Sequence, residues 1–385
     1  MSHLFPTYSK WEIEPASAKG SYLYSTEGKK YLDLTAGIGV CNLGHCHDEV
    51  KAAVEAQLEK FWHVSNLFPV EIQEKAATAL AAASSMDAVF FANSGAEANE
   101  GAIKLARKAT GKTKIITFKQ SFHGRTFAAM SATGQDKIKN GFGPMLETFV
   151  NVPFNDIEAL KAELTEDVAA VMLEIVQGEG GIHVATQEFL QETEALAKSK
   201  GALLIIDEIQ TGIGRTGKPF AFQHFALNPD IITSAKGLAN GIPVGAIAAK
   251  KELVEFFGPG SHGTTFGGNP LAMAAATKTM EIIFAESFLQ EVEQKSEFLI
   301  SQLTEKLKEN TAVKDIRGLG LIIGIELEVP VANVLGDLRE SGLIVLNAGE
   351  KVIRLLPSLN ITTEQLDEAV SILASKLKFY SNIAI

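Results

Sequence analysis

The sequence predicts an α/β fold, with a large domain built on a mostly parallel sheet covered by helices and a smaller α+β domain after it. Three observations carry this. Between residues 88 and 233, short apolar runs alternate with longer stretches of helical period. Such alternation marks buried strands joined by crossover helices. After Pro270 the pattern changes to two long helical stretches and then strands. Finally, 385 residues, 46% hydrophobic and including 33 glycines, suffice for a large core with many tight strand-to-helix turns.

In chain order, residues 1–45 mix short strand signals with turns, as in Tyr22-Leu23-Tyr24 before Glu27-Gly28-Lys29. Residues 48–60 read as an amphipathic helix through Val50, Val54 and Leu58, with Asp48 expected as its cap. The segment His45-Cys46-His47-Asp48 has metal-ligand residue types. No second ligand pair stands at zinc spacing, so no metal is expected. Val89-Phe90-Phe91 is strand-like, Ala96–Ala109 helical, and Lys114–Phe118 strand-like again. Val168–Leu173, Leu203–Ile206 and Ile231–Thr233 repeat the strand signal, with a helix over 187–199. Residues 271–285 and 287–309 are helical, the latter with Leu289, Val292, Leu299, Leu303 and Leu307 on one face. Leu319–Glu328 and Lys351–Leu355 are strand-like. There is no internal repeat and no low-complexity segment.

Thirty-five basic against 46 acidic residues leave a formal charge of −11, with no basic block. A nucleic-acid partner is not expected. Cys41 and Cys46 are the only cysteines. Two cysteines so close together are no disulfide framework and fit a reducing cytoplasm. The opening Met1-Ser2-His3-Leu4-Phe5-Pro6 lacks the charged and apolar regions of a signal peptide. No apolar run approaches the ~20 residues of a membrane helix. A cytoplasmic protein without a membrane partner is expected.

Candidate chemistry collects at strand ends, where ligands of open α/β sheets bind. Lys236 lies in the small-residue loop Ser234-Ala235-Lys236-Gly237-Leu238-Ala239-Asn240-Gly241, just after a strand. Asp207 ends the run Leu203-Leu204-Ile205-Ile206. An amine nucleophile and a fixed carboxylate are what pyridoxal phosphate chemistry needs: one forms a Schiff base, the other keeps the pyridine nitrogen protonated. Each has a plainer reading, as a solvated lysine and as a turn carboxylate. Asn93-Ser94-Gly95-Ala96 precedes a helix and offers an anion site, or simply a cap by Ser94. Phe122 could stack on a flat ring and Arg125 grip a carboxylate, or they serve the core and a structural ion pair. Glu179 either gates a site or sits in a surface turn. Arg354, a charge inside an apolar strand, is paired for structure or for ligand.

Together these segments resemble the class III, ornithine aminotransferase-like family of pyridoxal-phosphate enzymes. The likeness runs from about Gly20 to the last strand. It rests on Asn93-Ser94-Gly95-Ala96-Glu97-Ala98-Asn99-Glu100, Phe122-His123-Gly124-Arg125, Gln177-Gly178-Glu179, Asp207-Glu208-Ile209-Gln210-Thr211-Gly212, Ala235-Lys236-Gly237 and His262-Gly263-Thr264-Thr265-Phe266-Gly267-Gly268-Asn269-Pro270. The resemblance implies a fold-type I homodimer with active sites at the subunit interface. It implies residues 1–60 as an N-terminal segment packing with the small domain, 61–270 as the large cofactor-binding domain, and 271–385 as the small domain. It gives Lys236 the Schiff base, Asp207 the pyridine nitrogen and Gln210 the neighbourhood of the phenolic oxygen. Ser94, Gly95 and Ala96 would hold the phosphate, with Thr265 reaching across from the partner. Phe122 would stack on the ring and Arg125 bind a substrate carboxylate. Thr264 is grouped with the substrate-binding residues. Glu179 and Arg354 would form a switch, paired for an amine donor and opened for a dicarboxylate.

Ile38, in Thr35-Ala36-Gly37-Ile38-Gly39-Val40, falls where relatives acting on free ornithine place a tyrosine. An apolar residue suits an acylated amine better. The implied substrates are therefore acetylornithine and 2-oxoglutarate, with ornithine, succinylornithine and 4-aminobutyrate as alternative donors. Glu174-Ile175 departs from the Glu-Pro of many relatives, which alters a turn and none of the named roles.

Overall fold

Seven strands make the central sheet, in the order Ala88–Ala92, Gly245–Ala249, Ile231–Ser234, Leu203–Asp207, Val168–Leu173, Lys114–Phe118, Phe149–Val152. The computed structural model in which they are seen describes residues 3–381. Met1 and Ser2 of the opening segment lie outside the described residues. All neighbours in the sheet are parallel except Gly245–Ala249, which is antiparallel on both sides. Val168–Leu173 is buried at every position, which explains its unbroken apolar run.

Helices cover the sheet. Gly95–Thr110 starts at Ser94, whose hydroxyl accepts from Glu97 N at 3.2 Å. Gln187–Ser199 starts at Thr186, which accepts from Phe189 N at 3.2 Å. Phe149–Val152 and Gly245–Ala249 escaped the sequence reading. The latter, Gly-Ala-Ile-Ala-Ala, has one β-branched residue and becomes a strand through its two neighbours rather than through propensity.

The helices Pro270–Ile283 and Glu286–Leu307 lead into a second sheet, in the order Val313–Leu319, Ile322–Leu327, Val352–Leu355, Leu346–Ala348. The strand expected over 319–328 is Ile322–Leu327, and Val313–Leu319, which the sequence reading did not mark, folds back onto it at Gly320. Gly320 has φ 62°, and a Cβ there would lie 2.3 Å from Thr216 Cα, so both turn and packing require glycine. The first strands, Pro15–Lys19, Tyr22–Ser25 and Lys30–Asp33, form their own sheet, closed by Leu343–Ile344 parallel to Lys30–Asp33. Tyr22 Oη also donates to Glu368 at 2.9 Å.

Asp48 is not the cap of its helix. His47 holds that position without a side-chain bond, and Asp48 opens the first turn, paired with Lys19. A carboxylate there still faces the positive end of the helix dipole. Arg215 is fully buried. Its Nη1 donates to the carbonyls of Leu321 (3.0 Å) and Pro357, and its Nη2 to Asn42 Oδ1 at 2.7 Å. One side chain therefore joins the loop after Leu203–Asp207, the N-terminal segment and the C-terminal part. Among the described residues no helix is long and apolar enough to cross a membrane.

Candidate active site

The carboxyl ends of the parallel strands open on a cavity of about 440 Å³, lined among others by Ser94, Phe122, Glu174, Asp207, Gln210 and Lys236. A larger hollow, about 720 Å³, lies between the helix Glu71–Ser84 and the loop at His262–Gly267. It holds neither Lys236 nor Asp207, and the chemistry selects the smaller one.

Lys236 follows the strand Ile231–Ser234 by two residues and opens a short 3₁₀ turn, Lys236–Ala239, with φ 42°. Gly237 lets this turn press on Asn42, since a Cβ there would lie 2.3 Å from Asn42 Nδ2. Burial lowers the Lys236 ammonium from its ordinary value, because it penalises the charged form. Asp207 is 3% exposed. Its Oδ2 accepts from Asn99 Nδ2 and His123 Nδ1, both at 2.8 Å, and its Oδ1 from Ile209 N at 3.0 Å. Three converging donors fix the carboxylate at the cavity wall.

Arg354 grips Glu179 with both arms, Nη1 to Oε1 at 2.6 Å and Nη2 to Oε2 at 3.2 Å. Nη1 also donates to Gly178 O at 2.8 Å, and Gln210 Nε2 donates to Glu179 Oε1 at 3.3 Å. Burial alone would raise Glu179, but Arg354 and Lys236 outweigh it and hold the carboxyl below its usual range. The charge inside the strand Val352–Leu355 is therefore paired, and the pair borders the cavity through Glu179. Glu179 does not sit in a plain surface turn.

The helix Gly95–Thr110 points its N-terminus into the same cavity, which Ser94, Gly95 and Ala96 line. Ser94 is the cap, so the plainer reading of that residue is correct as well. The first backbone N–H groups of a helix have no intrahelical acceptor and are available to an anion. Phe122 is half-buried and lines the cavity rather than the core. Arg125 is exposed, lies 5.8 Å from the Phe122 ring centre, and makes no ion pair among the described residues.

The sequence pattern of the family Aminotransferase class-III matches residues 6–377. The chain belongs to the class-III aminotransferases. It is 60% identical over 384 residues to the acetylornithine aminotransferase of Bacillus subtilis (strain 168), covering 100% of both chains. A Halalkalibacterium halodurans acetylornithine aminotransferase is also 60% identical, over 96% of this chain and 97% of the relative. Among solved structures, ornithine aminotransferase from Toxoplasma gondii superposes with a TM-score of 0.94 at 31% identity, covering 99% of this chain and 93% of that one, and carries PLP at partial occupancy in its active site. N-acetylornithine aminotransferase from Stenotrophomonas maltophilia K279a gives 0.85 at 34% identity, covering 98% of each. The fold is the fold-type I arrangement expected from the sequence.

Three residues expected at the site of this class-III enzyme lie elsewhere within one chain. Thr265 is exposed on its loop and lines no part of the Lys236 cavity. Thr264 touches that cavity's wall indirectly, its Oγ1 accepting from Asn93 Nδ2 at 3.2 Å. Ile38 is 44% exposed and outside the lining, which Val40 joins instead. Three others were missed as contributors. Asn99 and His123 hold Asp207, and Glu174 lines the cavity. Asn99 and His123 stood inside the quoted motifs, but only the fold shows what they face.

Proposed function

We propose that the chain is an N2-acetylornithine:2-oxoglutarate aminotransferase of arginine biosynthesis, acting with pyridoxal 5'-phosphate. The observation that carries this is the bidentate Glu179–Arg354 pair beside Lys236, in a cavity that must take an amine donor and a dicarboxylate in turn. Two relatives at 60% identity over nearly the whole chain, both acetylornithine aminotransferases, support the donor.

The side chains fit the cofactor. Lys236 Nζ would carry it covalently, and Asp207 would face its pyridine nitrogen. Ser94, Gly95 and Ala96 at the helix N-terminus would hold its phosphate, and Phe122 and Gln210 would border the ring. When bound, the cofactor supplies an electron sink for the carbanion of the substrate. Asp207, fixed by Asn99 and His123, holds the positive charge that makes the sink effective. Lys236 Nζ takes the proton from the substrate carbon that bears the amine and returns a proton later, and its burial keeps the neutral amine within reach. Arg125 binds the α-carboxylate. Glu179 screens Arg354 while an acylated amine donor is present and releases it for the distal carboxylate of 2-oxoglutarate. Such a device lets one pocket discriminate two charges without stranding a buried arginine.

The same reading makes the enzyme a cytoplasmic homodimer, with Thr265 serving the partner's phosphate site. Leu67, 89% exposed, and the exposed Trp62, Phe68 and Phe266 support a covered surface near that loop. It divides the chain into 1–60, 61–270 and 271–385, supported by the sheet that the N-terminal strands share with Leu343–Ile344. The test is half-reaction kinetics on protein loaded with PLP, using acetylornithine, ornithine, succinylornithine and 4-aminobutyrate. Acetylornithine should lead by about ten-fold or more in kcat/KM. Faster turnover of any other donor would overturn the substrate.

A further inference from the structure

Two buried carboxyls stand side by side at the floor of the cavity. The strands Val168–Leu173 and Leu203–Asp207 are parallel neighbours, with Ile206 opposite Leu173. Glu174 directly follows Leu173 and Asp207 directly follows Ile206, so the two carboxyls leave neighbouring strand ends together, and the Asp207 charge acts on Glu174. Asp207 is 3% and Glu174 7% exposed, and both line the cavity. Two like charges so placed cannot both be sustained cheaply, so the environment decides which carboxyl keeps its proton.

The hydrogen bonds are unequal. Asp207 collects Asn99 Nδ2, His123 Nδ1 and Ile209 N. Glu174 has one donor, Phe122 N, at 3.0 Å from its Oε2. Its Oε1 has no partner among the described residues and is not among the sealed unpaired atoms, so it opens to the cavity. The charged groups around Glu174 are Asp207 from the neighbouring strand, Lys236 from the turn beyond the next, and Glu179 from its own chain stretch. Behind them, His123 backs Asp207 and Arg354 neutralises Glu179. Burial, then the Asp207 charge, push the Glu174 carboxyl well above the usual range, with the Phe122 amide opposing.

We propose that Glu174 is the protonated member of a pair with Asp207 and acts as a general acid of this cavity. The inference rests on the aminotransferase reading above. Its place is the loss of the keto oxygen of 2-oxoglutarate. As nitrogen replaces that oxygen, the C–O bond breaks with its electron pair on oxygen. The oxygen, which took a first proton from the attacking nitrogen as the C–N bond formed, takes a second from Glu174 and leaves as water, and the carboxylate recovers a proton from the nitrogen now doubly bonded to carbon. Donor hydrolysis runs the same exchange in reverse.

The test is Glu174→Gln, which keeps an acceptor for Phe122 N and the neutral state. Infrared difference spectra of wild type minus variant, without cofactor at neutral pH, should show a carboxylic-acid C=O band lost on substitution. The other buried carboxyl with a raised pKa, Glu208 at about 7, gives its own band, which cancels in the difference. With PLP, the variant should keep the absorption of the loaded protein, while its single turnover with 2-oxoglutarate falls about 10²-fold or more. The alkaline limb of that half-reaction should vanish in Glu174→Gln and return in Glu174→Asp. Absence of the infrared band overturns the proposal, as does a wild-type half-reaction in a folded, loaded variant. Should Glu174→Gln fail to fold, Glu174→Met serves in the infrared comparison, where no loss of a carboxylic-acid band is the overturning result. Failure of the aminotransferase reading looks different: the wild type itself would not load or transaminate, whereas the infrared comparison needs neither.

Discussion

Burial decides what Lys236 can do. An ammonium in water spends little time as a nucleophile, whereas the lowered Lys236 amine is available for attack and proton transfer. Lys236→Ala should abolish turnover and the covalent attachment, yet still bind PLP, because the helix N-terminus, Phe122 and Asp207 line the cavity independently. Absorbance and dialysis of the variant check this, and substantial steady-state transamination would refute it. Lys236 and Asp207 were legible in the sequence because each closes or follows an apolar strand. Asn99, His123 and Glu174 were not, since their roles depend on which strand lies beside which. A second residue-scale expectation concerns pH. His45 Nε2 sits 2.8 Å from Asp33 Oδ2, and that bond, helped by Cys41, raises His45 to about 10. The folded value lies above the unfolded one of about 6.5. The contribution is therefore complete below about pH 6.5 and is lost as pH rises through about 10. Allowing for screening at a half-buried site, His45→Gln should lose about 1–2 kcal/mol near pH 6 and little near pH 10. Urea midpoints across that range measure it, and a constant difference would show that the pair is not the cause.

Two elements bear on the site, one at its wall and one leading to the lining residue Val40. The helix Gly95–Thr110 is held at its N-terminus by the strand Gly245–Ala249, because Gly245 lies directly against Ser94. A Cβ on Gly245 would stand 2.1 Å from Ser94 O, a backbone atom that cannot swing aside. Gly245→Ala should therefore cost about 1–3 kcal/mol of stability and weaken PLP binding, since the cap residue must move. Thermal melts without cofactor and a PLP titration separate the two effects, and unchanged affinity in a destabilised variant would detach the strand from the site. The turn Ala36–Gly39 is the second element. All four residues have positive φ, including Ala36 at 44° and Ile38 at 69°. A β-branched residue in that region is strained by about 1–3 kcal/mol. Ile38→Asn should thus raise stability by about 0.5–1 kcal/mol, read as a shift in the urea midpoint, and a loss would show that Ile38 is held by contacts worth more than its strain. The sequence reading singled out Ile38 in this segment, but the left-handed turn that holds it became visible only with the backbone. The strand Gly245–Ala249 stayed hidden for the opposite reason, because its alanines carry no strand signal of their own.

At the scale of the whole molecule, the loop of Thr264 and Thr265 faces outward beside exposed aromatic residues, with the His63 and Phe266 rings 5.3 Å apart. If Thr265 serves a second subunit, mixing inactive Lys236→Ala with an inactive Thr265 variant should restore activity in hybrid dimers that hold one intact site. No recovery after verified subunit exchange would place each site within one chain. Most of the layered architecture could be read from periodicity. How the first forty residues join the last hundred could not, because that union runs through a short parallel pairing, single hydrogen bonds such as Tyr22 Oη to Glu368 and Leu356 N to Leu34 O, and Arg215. Among the described residues, the guanidinium of Arg215 has no carboxylate as a hydrogen-bond partner. It borrows carbonyls from Leu321 and Pro357 and an amide oxygen from Asn42, and burial brings it down to about 9. Arg215 can leave water only when Asn42, Leu321 and Pro357 are all in place to accept from it. Its burial is therefore conditional on the N-terminal segment and the C-terminal part being docked together.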